Sequence, residues 1–111
     1  MSRVYITNAA GHDFSKAEKF GELTWITKGW VPLQSLDRVK FLVAEKLQHA
    51  RPEDYLLLSG TQVVCVVAAL YWFYKFGEVK LLVHDKKEDD YRELLVTNAN
   101  LMYLEGLVKN G

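Results

Sequence analysis

Apolar positions along the chain switch between two spacings, and the switching predicts an alternation of strands and helices. Val4-Tyr5-Ile6-Thr7 is β-branched and aromatic, and it ends at the small and polar Asn8-Ala9-Ala10-Gly11-His12-Asp13, which predicts a first strand and a loop. Ser15 then stands as an N-cap before Lys16-Ala17-Glu18-Lys19-Phe20, with Glu18 at the capping-box position and Gly21 ending a short helix. Leu23 to Thr27 has strand composition, and Lys28-Gly29-Trp30-Val31-Pro32 reads as a turn. Behind Ser35, residues Leu36, Val39, Val43, Leu47 and Ala50 recur at three- and four-residue spacing, an amphipathic helix that Pro52 ends.

Tyr55-Leu56-Leu57-Leu58 is continuously apolar, as expected of a strand covered on both faces. Gln62 to Phe76 is ambiguous by composition, because its valines favour a strand while its length and alanines favour a helix; Gly77 after Lys75 decides for helix. Val79 to Val83 is the next strand, so Tyr55 to Asp85 forms a strand-helix-strand unit with parallel strands. The charged run Lys86 to Asp90 predicts a hairpin turn into an antiparallel strand near an edge, Tyr91 to Val96. Leu101, Leu104 and Val108 predict a last helix with Asn98 as N-cap, weakened by Gly106. The expected architecture is a single α/β domain over residues 1–111, with a small Rossmann-like mixed sheet of about five strands, mostly parallel, and helices packed on it.

Composition narrows the partners. Fourteen basic and fourteen acidic side chains cancel, so no overall field favours nucleic acid or an anionic membrane. The longest apolar run, Val63 to Tyr74, is too short to span a bilayer. No signal peptide precedes the first strand, and the single Cys65 excludes a disulfide framework, which leads to the expectation of a cytoplasmic protein. Three Trp, six Tyr and five Phe are more aromatic surface than so small a core needs. The consecutive Tyr71-Trp72-Phe73-Tyr74 covers every side of its helix, and the helix around Tyr71 and Trp72 is therefore the expected homodimer surface.

Candidate chemistry gathers behind the strands, because ligands of open parallel sheets bind outside the carboxyl ends. Ser59-Gly60-Thr61-Gln62 joins a strand to a helix, so its backbone N–H groups and the helix dipole suit a phosphate, with Asn8 nearby; a plain turn in which Ser59 or Thr61 caps the helix is the competing reading. Walker and dinucleotide glycine patterns do not occur. Gly11-His12-Asp13 and His84-Asp85 bring imidazole next to carboxylate and are candidates for acid/base or metal-ligating work, with Asp13 alternatively capping the short helix. No cofactor and no metal site are expected, and Cys65 reads as a small buried hydrophobe.

Leu58-Ser59-Gly60-Thr61-Gln62 resembles the strand-to-helix junction of CRISPR-associated Rossmann-fold domains, with Ser59 and Gln62 at positions where that family has glycine and lysine. Val4-Tyr5-Ile6-Thr7-Asn8-Ala9 and Gly11-His12-Asp13 are similar to segments of viral anti-CRISPR ring nucleases, although the histidine comes earlier than in that family. The chain also looks like small phage and mobile-element accessory proteins. These resemblances imply a cyclic oligonucleotide or other nucleotide as ligand. The leading expectation is a dimeric protein that binds a phosphate-bearing ligand through Asn8, Ser59, Gly60, Thr61 and Gln62. The alternatives are a hydrolase that uses His12 or His84 with Asp13 or Asp85, and an interaction module without a small ligand.

Overall fold

The computed structural model describes residues 2–31 and 34–111; Met1, Pro32 and Leu33 lie outside the described residues, so the turn expected at Lys28 to Pro32 is described only to Val31. The elements are β1 (Arg3–Asn8), a 3-10 helix (Ser15–Phe20), β2 (Glu22–Thr27), α1 (Leu36–Leu47), β3 (Tyr55–Leu57), α2 (Gln62–Phe76), β4 (Glu78–Asp85), β5 (Asp90–Thr97) and α3 (Asn98–Asn110). They build one five-stranded sheet in the order β2-β1-β3-β4-β5, parallel throughout except for β5, which runs antiparallel to β4 at the edge. The chain is thus the α/β mixed sheet, mostly parallel, that its spacing predicts.

Strand alternation divides the core into two layers. Tyr5, Ile26, Leu56 and Val79 point to one face and are covered by Val39, Val43 and Leu47 of α1 and by Val64, Ala68 and Trp72 of α2. Val4, Ile6, Leu57 and Leu82 point to the other, where Phe14 and Ala17 of the 3-10 segment cover them. The connection from β1 to β2 and the one from β2 to β3 run in opposite directions along the sheet and use opposite faces, as a common crossover hand requires.

Local chemistry explains the element ends. Ser35 caps α1 by accepting from the N–H of Arg38. Gly77, at φ 73°, ends α2 with its N–H on the Phe73 carbonyl. Lys75 of α2 reaches across and donates Nζ to the carbonyls of Leu47, Gln48 and Ala50, at 2.9, 2.7 and 3.1 Å, which satisfies the C-terminal end of α1. Two expected caps move. The short 3-10 helix is not capped by Ser15; instead Asp13 accepts from the Ser15 N–H at 2.9 Å. The cap of α3 is Thr97 rather than Asn98, in a reciprocal box with Asn100.

On the helix expected as a dimer surface, Trp72 faces inward. It is only 1% exposed, stacked edge-on against Tyr5 and Phe76, and so belongs to the core of its own chain. The outer side of α2 carries Val66, Leu70 and Tyr74 instead. A lysine-rich or acidic helix would explain such exposure as a solvated face; this helix has neither.

Candidate functional site

Between β1 and β3 the strand order reverses, which is where open α/β sheets form their binding crevice. Here that crevice is closed by the protein's own groups. The Thr7 hydroxyl donates to the Ser59 carbonyl at 2.6 Å and accepts from the Ser59 N–H at 2.7 Å. Cys65 Sγ lies 3.3 Å from Thr7 Oγ1 and donates to the same Ser59 carbonyl at 3.6 Å. Cys65 therefore sits in the first turn of α2 as part of the closure.

Asn8 is similarly occupied. Its side-chain amide donates to Thr27 Oγ1 at 3.0 Å and to the Gly29 carbonyl at 2.9 Å, while its carbonyl oxygen accepts from the Ala10 N–H at 2.9 Å. Thr27 in turn donates to the Thr7 carbonyl at 2.6 Å. Asn8 is buried and its amide donors are satisfied, so it ties the loop after β1 to the one after β2. Gly60 presses on it from the β3–α2 turn at φ 79°. Thr61 holds the N-cap position of α2 without a side-chain cap bond, and Gln62 is exposed beside it. Of the expected phosphate loop, Ser59 alone lines the main cleft; Gly60, Thr61 and Gln62 do not.

That cleft, about 660 Å³, opens on the opposite face of the sheet, between the 3-10 segment and the β4–β5 hairpin. Its floor is Leu57 and Leu82, and its walls carry Phe14 and Tyr91. His12 enters from the loop after β1, Ser59 from the turn after β3, and His84 from the end of β4, so three segments distant in sequence meet here. The rings frame it: His12 lies edge-on to Phe14 and His84 edge-on to its cross-strand neighbour Tyr91, at centroid distances of 6.2 and 5.3 Å. Burial raises the Tyr91 phenol above its ordinary pKa, with the Asp13 charge adding to the shift.

The carboxylate that faces His84 is not its sequence neighbour. Asp85 accepts from the N–H groups of Lys87 and Glu88 and pairs with Arg92, holding the hairpin turn. Asp89 stands 3.3 Å from His84 Nε2 with one oxygen and accepts from Lys16 Nζ at 2.5 Å with the other. Its backbone has φ 50°, in the left-handed region that aspartate tolerates in tight turns. The Lys16 bond holds the Asp89 carboxyl below its ordinary pKa and holds the Lys16 ammonium above its own. A second pair, Lys19 with Asp90, runs beside the first, so the hairpin is tethered to the 3-10 segment by two ion pairs.

Sequence reasoning singled out His12, Asp13, Ser59 and His84, and the fold brings all four to one cleft. It missed Lys16 and Asp89, which it read only as parts of a short helix and a turn. Nothing in the local pattern pairs two residues that stand 73 positions apart. Asp13 lines the cleft but spends one oxygen on the Ser15 N–H, which lowers its pKa. Among the described residues, no group of three or more His, Cys, Asp and Glu is arranged to hold a metal ion, and no helix is long and apolar enough to cross a membrane.

No curated protein and no solved structure matches the chain. A family model described as "Phage Pam3 gp32-like protein" matches residues 2–98, from β1 through β5 and the start of α3. The chain belongs to the phage Pam3 gp32-like protein family.

Proposed function

We propose that the cleft binds a small phosphate-bearing ligand, a nucleotide in the first instance, and that the protein acts as a binding protein. One observation carries the reading: the Asp89 carboxylate bridges Lys16 and His84 at the cleft wall, where an anion meets two nitrogen donors contributed by different segments. A ligand phosphate suits the same donors and would displace Asp89 from them, with His12 and Ser59 completing the polar rim. Leu57, Leu82, Phe14 and Tyr91 supply the apolar and aromatic contact that a base or ribose requires, and the cleft volume lies in the range of small-molecule sites. The resemblance of Gly11-His12-Asp13, which enters the cleft, to a segment of viral anti-CRISPR ring nucleases is in keeping with a nucleotide.

Calorimetric titration with AMP, cyclic dinucleotides and inorganic phosphate tests this. Binding that weakens severalfold in His12→Ala and tightens in Asp89→Asn, which removes the competing charge, supports it. Absence of binding in both the wild type and Asp89→Asn overturns it.

The pairing of His84 with Asp89 favours one second reading, a hydrolase in which Asp89 orients the imidazole as a general base. Turnover of a bound nucleotide that is lost in His84→Ala but not in Asp85→Asn would select it over simple binding.

A further inference from the structure

The segment that enters the cleft behind β1 carries a carboxylate as well as the His12 imidazole. Ala10 and Gly11 both have left-handed backbone, at φ 49° and 73°, and the turn they make lays His12 to Lys16 along the cleft. Phe14 is buried and edge-on to Trp25 at 5.7 Å, so the chain is anchored to the core immediately after Asp13. Asp13 itself stays exposed on the cleft rim. The Ser15 N–H donates to its Oδ1 at 2.9 Å, and among the described residues no hydrogen bond reaches Oδ2. That N–H keeps the carboxyl below its ordinary pKa, so Asp13 is charged at neutral pH.

A fixed carboxylate with an unengaged oxygen is an acceptor and nothing else. It repels phosphate, so a ligand that sets its phosphate on Lys16 and His84 must turn hydrogen-bond donors towards Asp13. A nucleotide has donors in two places, the sugar hydroxyls and the polar edge of the base. Asp13 precedes Lys16 by three residues and its charge adds to the upward shift of the Lys16 ammonium, so the two groups serve neighbouring parts of one ligand. In a 5′-nucleotide the part next to the phosphate is the sugar. The base lies beyond it and is left to the apolar floor and Tyr91.

We infer that Asp13 selects a ribonucleotide, its Oδ2 accepting from the 2′- and 3′-hydroxyls of a ribose whose 5′-phosphate lies on Lys16 and His84. The inference rests on the nucleotide reading of the cleft and adds the sugar to it. Hydroxyls donating to a charged acceptor make stronger hydrogen bonds than neutral pairs do. A sugar without them leaves the carboxylate facing the ligand with no donor to receive.

Calorimetric titration of the full chain at neutral pH with AMP, 2′,3′-dideoxy-AMP and inorganic phosphate tests it, in the wild type and in Asp13→Asn. The asparagine has one side-chain oxygen, and the Ser15 N–H holds it, so the variant keeps the turn and presents an NH2 group where Oδ2 stood. The wild type is expected to bind AMP at least about tenfold more tightly than the dideoxynucleotide, and Asp13→Asn to shrink that preference to about twofold or less. Inorganic phosphate, relieved of a repelling charge, is expected to bind Asp13→Asn more tightly than the wild type. Equal affinity of the wild type for AMP and the dideoxynucleotide overturns the inference and leaves the nucleotide reading standing, and this arm needs no variant. A preference that survives Asp13→Asn, or an equal loss for AMP, the dideoxynucleotide and phosphate, also overturns it, because Asp13 would then contact the base or only shape the loop. Absence of AMP binding in both the wild type and Asp89→Asn removes the nucleotide reading and this inference together.

Discussion

A Cβ placed on Gly60 would stand 2.7 Å from the Cβ of Asn8, so the turn after β3 and the end of β1 are in contact at a distance that only glycine permits. The contact closes the crevice at the point where the strand order reverses and displaces the open cleft to the other face of the sheet. Gly60→Ala meets both this clash and the strain of φ 79°, whereas Gly29→Ala meets only the strain of φ 65° because nothing lies near its Cβ. Urea denaturation is expected to show a loss of about 2–3 kcal/mol for Gly60→Ala, and about 1–2 kcal/mol less than that for Gly29→Ala. Equal losses would show that the contact with Asn8 yields freely.

Lys75 holds the C-terminal end of α1 through three carbonyls. Lys75→Met keeps the length and apolar stem of the side chain and removes the donor. It is expected to cost about 1–2 kcal/mol and to speed amide exchange in the last turn of α1 before the rest of that helix. Uniform acceleration across α1 and α2 would mean that the side chain contributes packing alone.

The tether between the hairpin and the 3-10 segment has a pH window. The folded carboxyls of Asp89 and Asp90 are held below their ordinary value of 3.8, chiefly by their hydrogen bonds to Lys16 and Lys19. Groups lowered in this way contribute stability above the unfolded value and lose it as pH falls through the folded one. Lys16 is raised above 10.5 by Asp89, so its contribution is complete below that value and disappears as pH climbs through the folded one. The carboxyl carbon shift of Asp89 is therefore expected to titrate below 3.8 in the wild type and to return towards it in Lys16→Met. A midpoint that ignores Lys16→Met would show that the pair does not persist in solution.

Much of the architecture was legible in the chain because spacing reports burial. Val39, Val43 and Leu47 lie one helical turn apart and are buried together, and Gly77 ends α2 where its left-handed backbone is needed. Which two of the four consecutive aromatics of α2 turn inward was not legible, because such a run shows no periodicity; Trp72 does so against Tyr5, a residue of a distant strand. The partners of Asn8 were hidden for a different reason. Its position after β1 matches a ligand site, but its partners Thr27 and Gly29 come from the neighbouring strand end and only the strand order brings them within reach. His84 was found while its carboxylate was not, since alternation along β4 sends Asp85 away and the hairpin returns Asp89.

A nitrogen-15 NMR titration of the full chain with AMP tests most directly where an anion binds. Shifts concentrated at His12, Lys16, Ser59, His84 and Asp89, with the Asp89 amide moving most as its carboxylate is displaced, are the predicted result. Shifts confined to Gln62, Val63 and Val64 at the start of α2, or no shifts at millimolar nucleotide, would contradict it.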